Sequence, residues 1–407
     1  MSMRAMFIFV LLSLIIMGAA AQEATPDPAL TGGYRIVGYY TAWSVYGQQY
    51  LVTDIPADQL THINYAFVNI SAGGECILGD AWADTQYRYP GDPDGAAWYG
   101  NFRQLQLLKN RYPHLSLLLS IGGLTWSDKF TVVALTEASR QQFVLSCVEL
   151  MTLYGFDGLD VDWEFPVSGG LTEGRPEDKE NFTLLLAEFR RQLDVQSVRD
   201  GRPYLLTIAA PALRDRYANL EIDQIHPYLD WINLMGYGFG GRWSAITNHD
   251  SRLYTSSGDP DRDAGRDIDS VVRDYQAAGV PADKIVLGVP FYGRGWANVS
   301  PENNGLYQPF DGFPQGTWGP VFIDYSDLQA HYFAHYTRYW DNEAQAAWLY
   351  NPNLRIMISY EDPLALYAKA DYVQQYGLGG IMLWELAPDD DNHTLLRTIY
   401  TALNDEP

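Results

Sequence analysis

The 407-residue chain is 47% hydrophobic and 14% aromatic, enough for a packed core and unlike a disordered polymer. Its formal net charge of −23, from 50 acidic and 27 basic residues, repels nucleic acid and anionic membranes, so neither is an expected partner and a neutral or cationic substrate is. The 12 Trp and 29 Tyr exceed what a core of this size needs, so some are expected to line a surface or groove, the others adding to the core.

Residues 1–21, "MSMRAMFIFVLLSLIIMGAAA", carry one early cation, an apolar run and three closing alanines, the pattern of a secretory signal peptide cleaved near Ala21. The run is too short for a membrane span, so an exported, extracellular protein is expected. A polar, Pro- and Gly-bearing linker follows over 22–33. Cys76 and Cys147 are the two cysteines; export permits a disulfide, but nothing local distinguishes a bridge from two buried thiols.

Short apolar runs then recur at 35–40, 62–70, 115–123, 156–165, 204–212, 231–238, 284–293 and 379–386. Most are continuous rather than alternating, as in parallel strands covered on both faces. Helical stripes separate them: Phe143, Cys147, Met151 and Tyr154 before a stop at Gly155, then Phe182, Leu185, Leu186, Phe189 and Leu193. Eight such strands with helical crossovers predict an α/β fold, a TIM (β/α)₈ barrel, over 34–293 and 376–407. The region 294–375 is too long for one crossover and holds interleaved turns and aromatic strands, so a small α+β insertion is expected in the seventh βα loop, at the catalytic face of a barrel.

The fourth run, "FDGLDVDWEFP" (156–166), places four acids in an apolar strand. Gly155, Gly158 and Pro166 oppose a helix. With period two, Asp160, Asp162 and Glu164 share one face, while Leu159, Val161, Trp163 and Phe165 share the other, against helices. Asp157 has the opposite parity and is assigned a structural role at the start of the strand. Inward carboxylates so close cannot all ionise cheaply, so the last of them is expected to have a raised pKa, as a general acid requires. A satisfied carboxylate network or a cation site is the other reading, although a strand is not how calcium loops present their oxygens.

Asp157 to Glu164 spell D-x-x-D-x-D-x-E, and here the sequence resembles the glycoside hydrolase family 18 chitinases. "LSLLLSIGG" resembles that family's S-x-G-G strand through Ser120, Gly122 and Gly123, "INLMGYGF" its M-x-Y-D strand through Met235 and Tyr237, and "VPFYGRGW" and "GGIMLWEL" its last two strands. Matching segments run in order over roughly 35–400. The match departs at Gly238, where the family pattern has Asp beside the acid and the substrate's acetamido group, which bears on how the acid is tuned and how that group is held.

The resemblance implies a hydrolase of β-1,4-linked N-acetylglucosamine in chitin or its oligosaccharides, using the sugar's own 2-acetamido group as nucleophile. Glu164 would be the acid and then the base, Asp162 would orient the acetamido N–H, Asp160 would share a proton or hydrogen bond with Asp162, and Tyr237 would hold the acetamido oxygen. Trp384 would floor the sugar site beside Met235. Tyr39, Phe67, Trp126, Trp163, Trp243 and Trp296 are candidate sugar contacts, since flat sugar faces pack on aromatic rings. Tyr292 and Arg294 are placed near the cleft under the insertion, where Arg can reach sugar hydroxyls or another side chain. An endo-N-acetylglucosaminidase or cell-wall hydrolase would share the mechanism. A chitin-binding lectin would be expected to lack the last acid, which Glu164 supplies. No cofactor or metal is expected, since no P-loop, nucleophile elbow or CxxC pair occurs and "GYGFGG" (236–241) leads into loop-like sequence; a monomer is expected.

Overall fold

The computed structural model describes residues 33–404; the signal peptide and almost all of the linker lie outside the described residues. Eight parallel strands close into a barrel: Arg35–Thr41, His62–Ile70, Ser116–Gly122, Gly158–Asp162, Leu205–Ala210, Trp231–Leu234, Ile285–Pro290 and Gly380–Trp384. Closure is made by the first strand, which pairs with the last through Arg35↔Gly380 and with the second through Val37↔His62. Six of the eight strands end one to four residues before the predicted ends of their apolar runs, because the chain leaves the ladder there to build the rim; the first ends one residue later than predicted and the second at Ile70 as predicted.

Helices coat the barrel where the 3.6-residue stripes predicted them. Glu137–Tyr154 starts on Thr136, whose hydroxyl accepts the Ser139 N–H, and stops at Gly155, which adopts φ 75°. A left-handed residue costs glycine little, so the chain can turn directly into the acidic strand. Asp178–Asp200 buries Phe182, Leu185, Leu186, Phe189 and Leu193. At the base of the fourth strand, Asp157 accepts the Leu117 N–H at 2.9 Å and one Arg202 N–H at 2.6 Å, and is paired with Lys109. This buried carboxylate ties strands and helices together, on the side of the strand away from the acid stack.

A five-stranded antiparallel sheet departs from the seventh barrel strand, in the spatial order Phe322–Asp324, Tyr292–Trp296, Ile356–Tyr360, Ala346–Asn351 and Thr337–Asp341. It begins at Tyr292, two residues after the barrel strand ends at Pro290, so Arg294 lies on an inserted strand. The helix Pro363–Tyr376 packs on Thr394–Asn404 and belongs with the barrel coat.

Cys76 and Cys147 form a disulfide across a sequence separation of 71 residues, with Cα atoms 5.0 Å apart. It fastens the short strand Cys76–Ile77 to the helix Glu137–Tyr154. Closing a loop of that length restricts the unfolded chain, worth about 4 kcal/mol in the loop-entropy account. Reduction, or Cys76→Ser with Cys147→Ser, is therefore expected to lower the melting temperature by several degrees, read by differential scanning calorimetry with and without reductant. An unchanged melting temperature would show that the bridge does not constrain the unfolded chain.

Candidate active site

Asp160 sits at the centre of the barrel, fully buried. Strand register sets its surroundings, since Ser120 and Thr207 are its direct partners on the flanking strands. Their hydroxyls donate to the two carboxylate oxygens at 2.7 and 2.6 Å. Tyr39 donates from the first strand at 2.8 Å and Asn233 from the sixth at 3.2 Å. Burial raises the pKa of Asp160, and the four donors oppose that rise by stabilising the anion. Its oxygens accept from these four donors, and its charge also acts on Asp162.

Asp162 is buried one step nearer the rim, and its Oδ1 has no hydrogen-bond partner. Burial, then the charge of Glu164, then that of Asp160 push its pKa well above the carboxylate range. Glu164 lies beyond the end of the strand, where desolvation raises its pKa to about 7. The gradient runs from a satisfied carboxylate at the floor to a pair at the rim that resists double ionisation.

Ser127 holds the backbone around this pair. Its hydroxyl accepts the Glu164 N–H at 2.8 Å and lies 2.9 Å from the Gly123 carbonyl and 3.2 Å from the Asp162 carbonyl. Gly122, which ends the third strand, and Gly123, which follows it, are required by proximity. A Cβ on Gly122 would lie 2.5 Å from the Asp162 carbonyl, and one on Gly123 would lie 2.6 Å from the Phe67 ring.

The cleft wall gathers residues distant in sequence. Tyr39, Phe67, Trp126, Met235, Tyr237 and Trp384 belong to one interior apolar cluster. The Trp384 ring stacks at 5.7 Å from Phe67 and lies 5.4 Å from Tyr39 and 6.5 Å from Trp43. Tyr237 lies 6.4 Å, ring to ring, from Tyr292. Burial and the nearby acids hold the Tyr237 hydroxyl well above its ordinary pKa, so it remains a neutral donor. Arg294 is bound to Asp250 at 2.5 Å, and its guanidinium lies 4.8 Å from the Phe322 ring and 5.8 Å from the exposed Trp243 ring.

Two candidate sugar contacts are elsewhere. Trp163 stacks on Phe130 at 5.2 Å and meets Phe182 edge-on at 5.5 Å, in the layer between barrel and helices. The period of the strand sends it outward, and its nearness in sequence to the acids does not bring it into the cleft. Trp296 is fully buried in the core of the inserted sheet with Trp348 and Met357. Conversely, Ser127, Thr207, Asn233 and Asp250 were not found from sequence. A polar residue inside an otherwise apolar strand is the available signal for Thr207 and Asn233; Ser127 and Asp250 lie in loops with no such signal.

Among the described residues, no group of three or more His, Cys, Asp or Glu side chains could hold a metal ion. The arrangement offers an acid that exchanges its proton near neutrality, a neighbouring carboxylate able to face a developing cation, a neutral tyrosine donor and an aromatic floor. These suit acid–base chemistry on a neutral substrate with a flat ring.

The family profile "Glycosyl hydrolases family 18" matches residues 35–389. Chitinase A1 of Niallia circulans is 41% identical over 95% of this chain, which spans 60% of that protein's length. Endochitinase 1 of Metarhizium robertsii is 37% identical over 92% of this chain and 86% of its own. The solved structure of chitinase ChiA74 from Bacillus thuringiensis superposes with a TM-score of 0.86 at 37% identity, covering 91% of this chain and 69% of that one. Barrel, acidic strand and family profile agree: the chain belongs to the glycosyl hydrolases of family 18.

Proposed function

We propose that the protein is an exported chitinase that cleaves β-1,4 bonds between N-acetylglucosamine units with retention of configuration. The observation that carries this reading is the inward stack of Asp160, Asp162 and Glu164, ending in a carboxyl group whose pKa is raised to about 7 at the mouth of an aromatic-walled barrel. Glu164 protonates the glycosidic oxygen as the bond to C1 breaks. The acetamido oxygen of the same sugar attacks C1 and forms a cyclic oxazolinium ion. Asp162 accepts the acetamido N–H and faces the positive charge, while the Tyr237 hydroxyl donates to the acetamido oxygen. The Glu164 carboxylate then removes a proton from water as it adds to C1 and opens the ring. Trp384 provides the face on which the sugar lies. The Cys76–Cys147 bridge suits the oxidising compartment that export implies.

The test is incubation with chitohexaose and with its fully deacetylated counterpart, followed by mass spectrometry and anomeric NMR. Release of β-configured products from the acetylated hexamer alone is the expected result, and their lengths distinguish internal from terminal cleavage. Cleavage of the deacetylated hexamer at a similar rate would eliminate the acetamido nucleophile. Binding of chitohexaose without cleavage would replace the enzyme by a lectin.

A further inference from the structure

The fourth barrel strand ends at Asp162, and from Trp163 onward the backbone is outside the ladder. Asp162 is still carried by its neighbour: it stands opposite Gly122, and its carbonyl accepts the Gly123 N–H at 2.8 Å. Glu164 lies two residues further on. Its N–H donates to the Ser127 hydroxyl at 2.8 Å, so a buried side chain takes the place of a strand partner. From the other side, Gly170 lies directly over the Glu164 carbonyl. A Cβ on Gly170 would lie 2.1 Å from that carbonyl oxygen and 2.9 Å from the Phe165 nitrogen.

Resting on the reading of Glu164 as the acid, we propose that Ser127 and Gly170 are positioning residues for it. They hold the backbone of Glu164 from its two sides and so set where its carboxyl group meets the glycosidic oxygen.

The two loops that supply these residues are braced against each other. Ser127 lies in the turn after the third strand, and its carbonyl accepts the Phe130 N–H at 3.2 Å, at the start of the short helix Phe130–Val133. Gly170 lies in the loop over 166–177, which is drawn closed where the Gly174 N–H donates to the Val167 carbonyl at 3.0 Å. The fully buried Asp178 joins the two: its carboxylate accepts the Thr131 hydroxyl at 2.8 Å and the Arg175 N–H at 2.7 Å. The Arg175 guanidinium returns the link, donating to the Thr131 carbonyl at 2.7 Å. Glu164 is thus gripped between two loops tied to one frame, although it stands beyond its own strand.

A general acid acts only within hydrogen-bond reach of the atom it protonates, and a misplacement of about 1 Å can cost about 10²-fold in rate. Substrate binding to the aromatic wall does not depend on that reach. Loss of the clamp therefore falls on proton delivery.

The test compares kcat/KM on chitohexaose with kcat/KM on 2,4-dinitrophenyl chitobioside, whose phenolate leaves without being protonated. In Ser127→Ala, the value on chitohexaose is expected to fall about 10- to 100-fold, carried by kcat and not KM, while the value on the aryl glycoside falls less than about threefold. Ser127→Thr, which keeps the hydroxyl, is expected to recover most of the loss. Gly170→Ala displaces the same peptide from its other side and is expected to show the same selectivity even if Ser127→Ala folds poorly. Equal losses on the two substrates in these variants would overturn the proposal and leave Ser127 and Gly170 as packing residues. So would unchanged turnover of chitohexaose in Ser127→Ala. A Glu164→Gln variant that still cleaves chitohexaose as the wild type does would fail the underlying reading of Glu164 instead.

Discussion

Glu164→Gln is expected to lower kcat by about 10²–10⁴ while leaving chitohexaose binding within a few-fold of wild type. The amide keeps the volume and hydrogen-bonding reach of the side chain but cannot deliver a proton to a leaving alkoxide. Because the Glu164 pKa is raised from 4.5 to about 7, the wild-type alkaline limb is expected near that pH. The same shift makes a stability prediction. A carboxyl group whose folded pKa exceeds its unfolded value binds more protons in the native state. Its contribution to stability is fully present below about pH 4.5 and is lost as pH rises through about 7. Glu164→Gln removes that titration, so the variant is expected to gain on the wild type in melting temperature between those two pH values and then hold a constant advantage. Solvent at the rim keeps the gain on the order of 1–2 kcal/mol. Thermal melts across pH 4–9, paired with single-turnover kinetics, measure both effects. Retention of most of the activity would remove Glu164 from the acid role.

Asp162→Asn is expected to lower kcat by about 10²–10³, with a smaller change in KM. Asn retains a carbonyl to accept the acetamido N–H, so ground-state binding persists. On the proposed substrate-assisted route, it cannot ionise to face the oxazolinium ion, so the loss falls on the transition state. The wild-type pair resists double ionisation, since the charge of Glu164 is among the forces raising Asp162. In Asp162→Asn, a single ionisation near that of Glu164 remains, and the pH profile on the alkaline side is expected to follow one group. Initial rates on chitohexaose over pH 4–9 give kcat, KM and the slope of that limb. A variant that loses affinity and keeps kcat would assign Asp162 to binding alone.

Much of this architecture is legible locally. Eight apolar runs separated by amphipathic helices lead to the barrel, because strands covered on both faces and helices covered on one leave different periodicities in sequence. Alternation within "LDVDWEF" places Asp160 and Asp162 inside and Leu159, Val161 and Trp163 outside, as observed. The same parity corrects the placement of Trp163 among the sugar contacts. The position of Trp296 was less accessible, since a residue on an inserted strand faces either the cleft or the insertion's own core and local pattern is the same for both.

The sequence by itself determined the number of strands, the helices between them, the site of the insertion and the spacing that aligns the carboxylates, because each follows from chain-local geometry with a period of 2 or 3.6 residues. Only the tertiary structure decided how those carboxylates are held. Tyr39, Ser120, Thr207 and Asn233 come from four strands to satisfy Asp160, and register across a closed barrel brings them there. It likewise joined Cys76 to Cys147 and carried Asp250 back to the wall beside Gly238, opposite Arg294. Such contacts depend on chain closure over tens to hundreds of residues, and partners that far apart leave no periodic trace in the sequence.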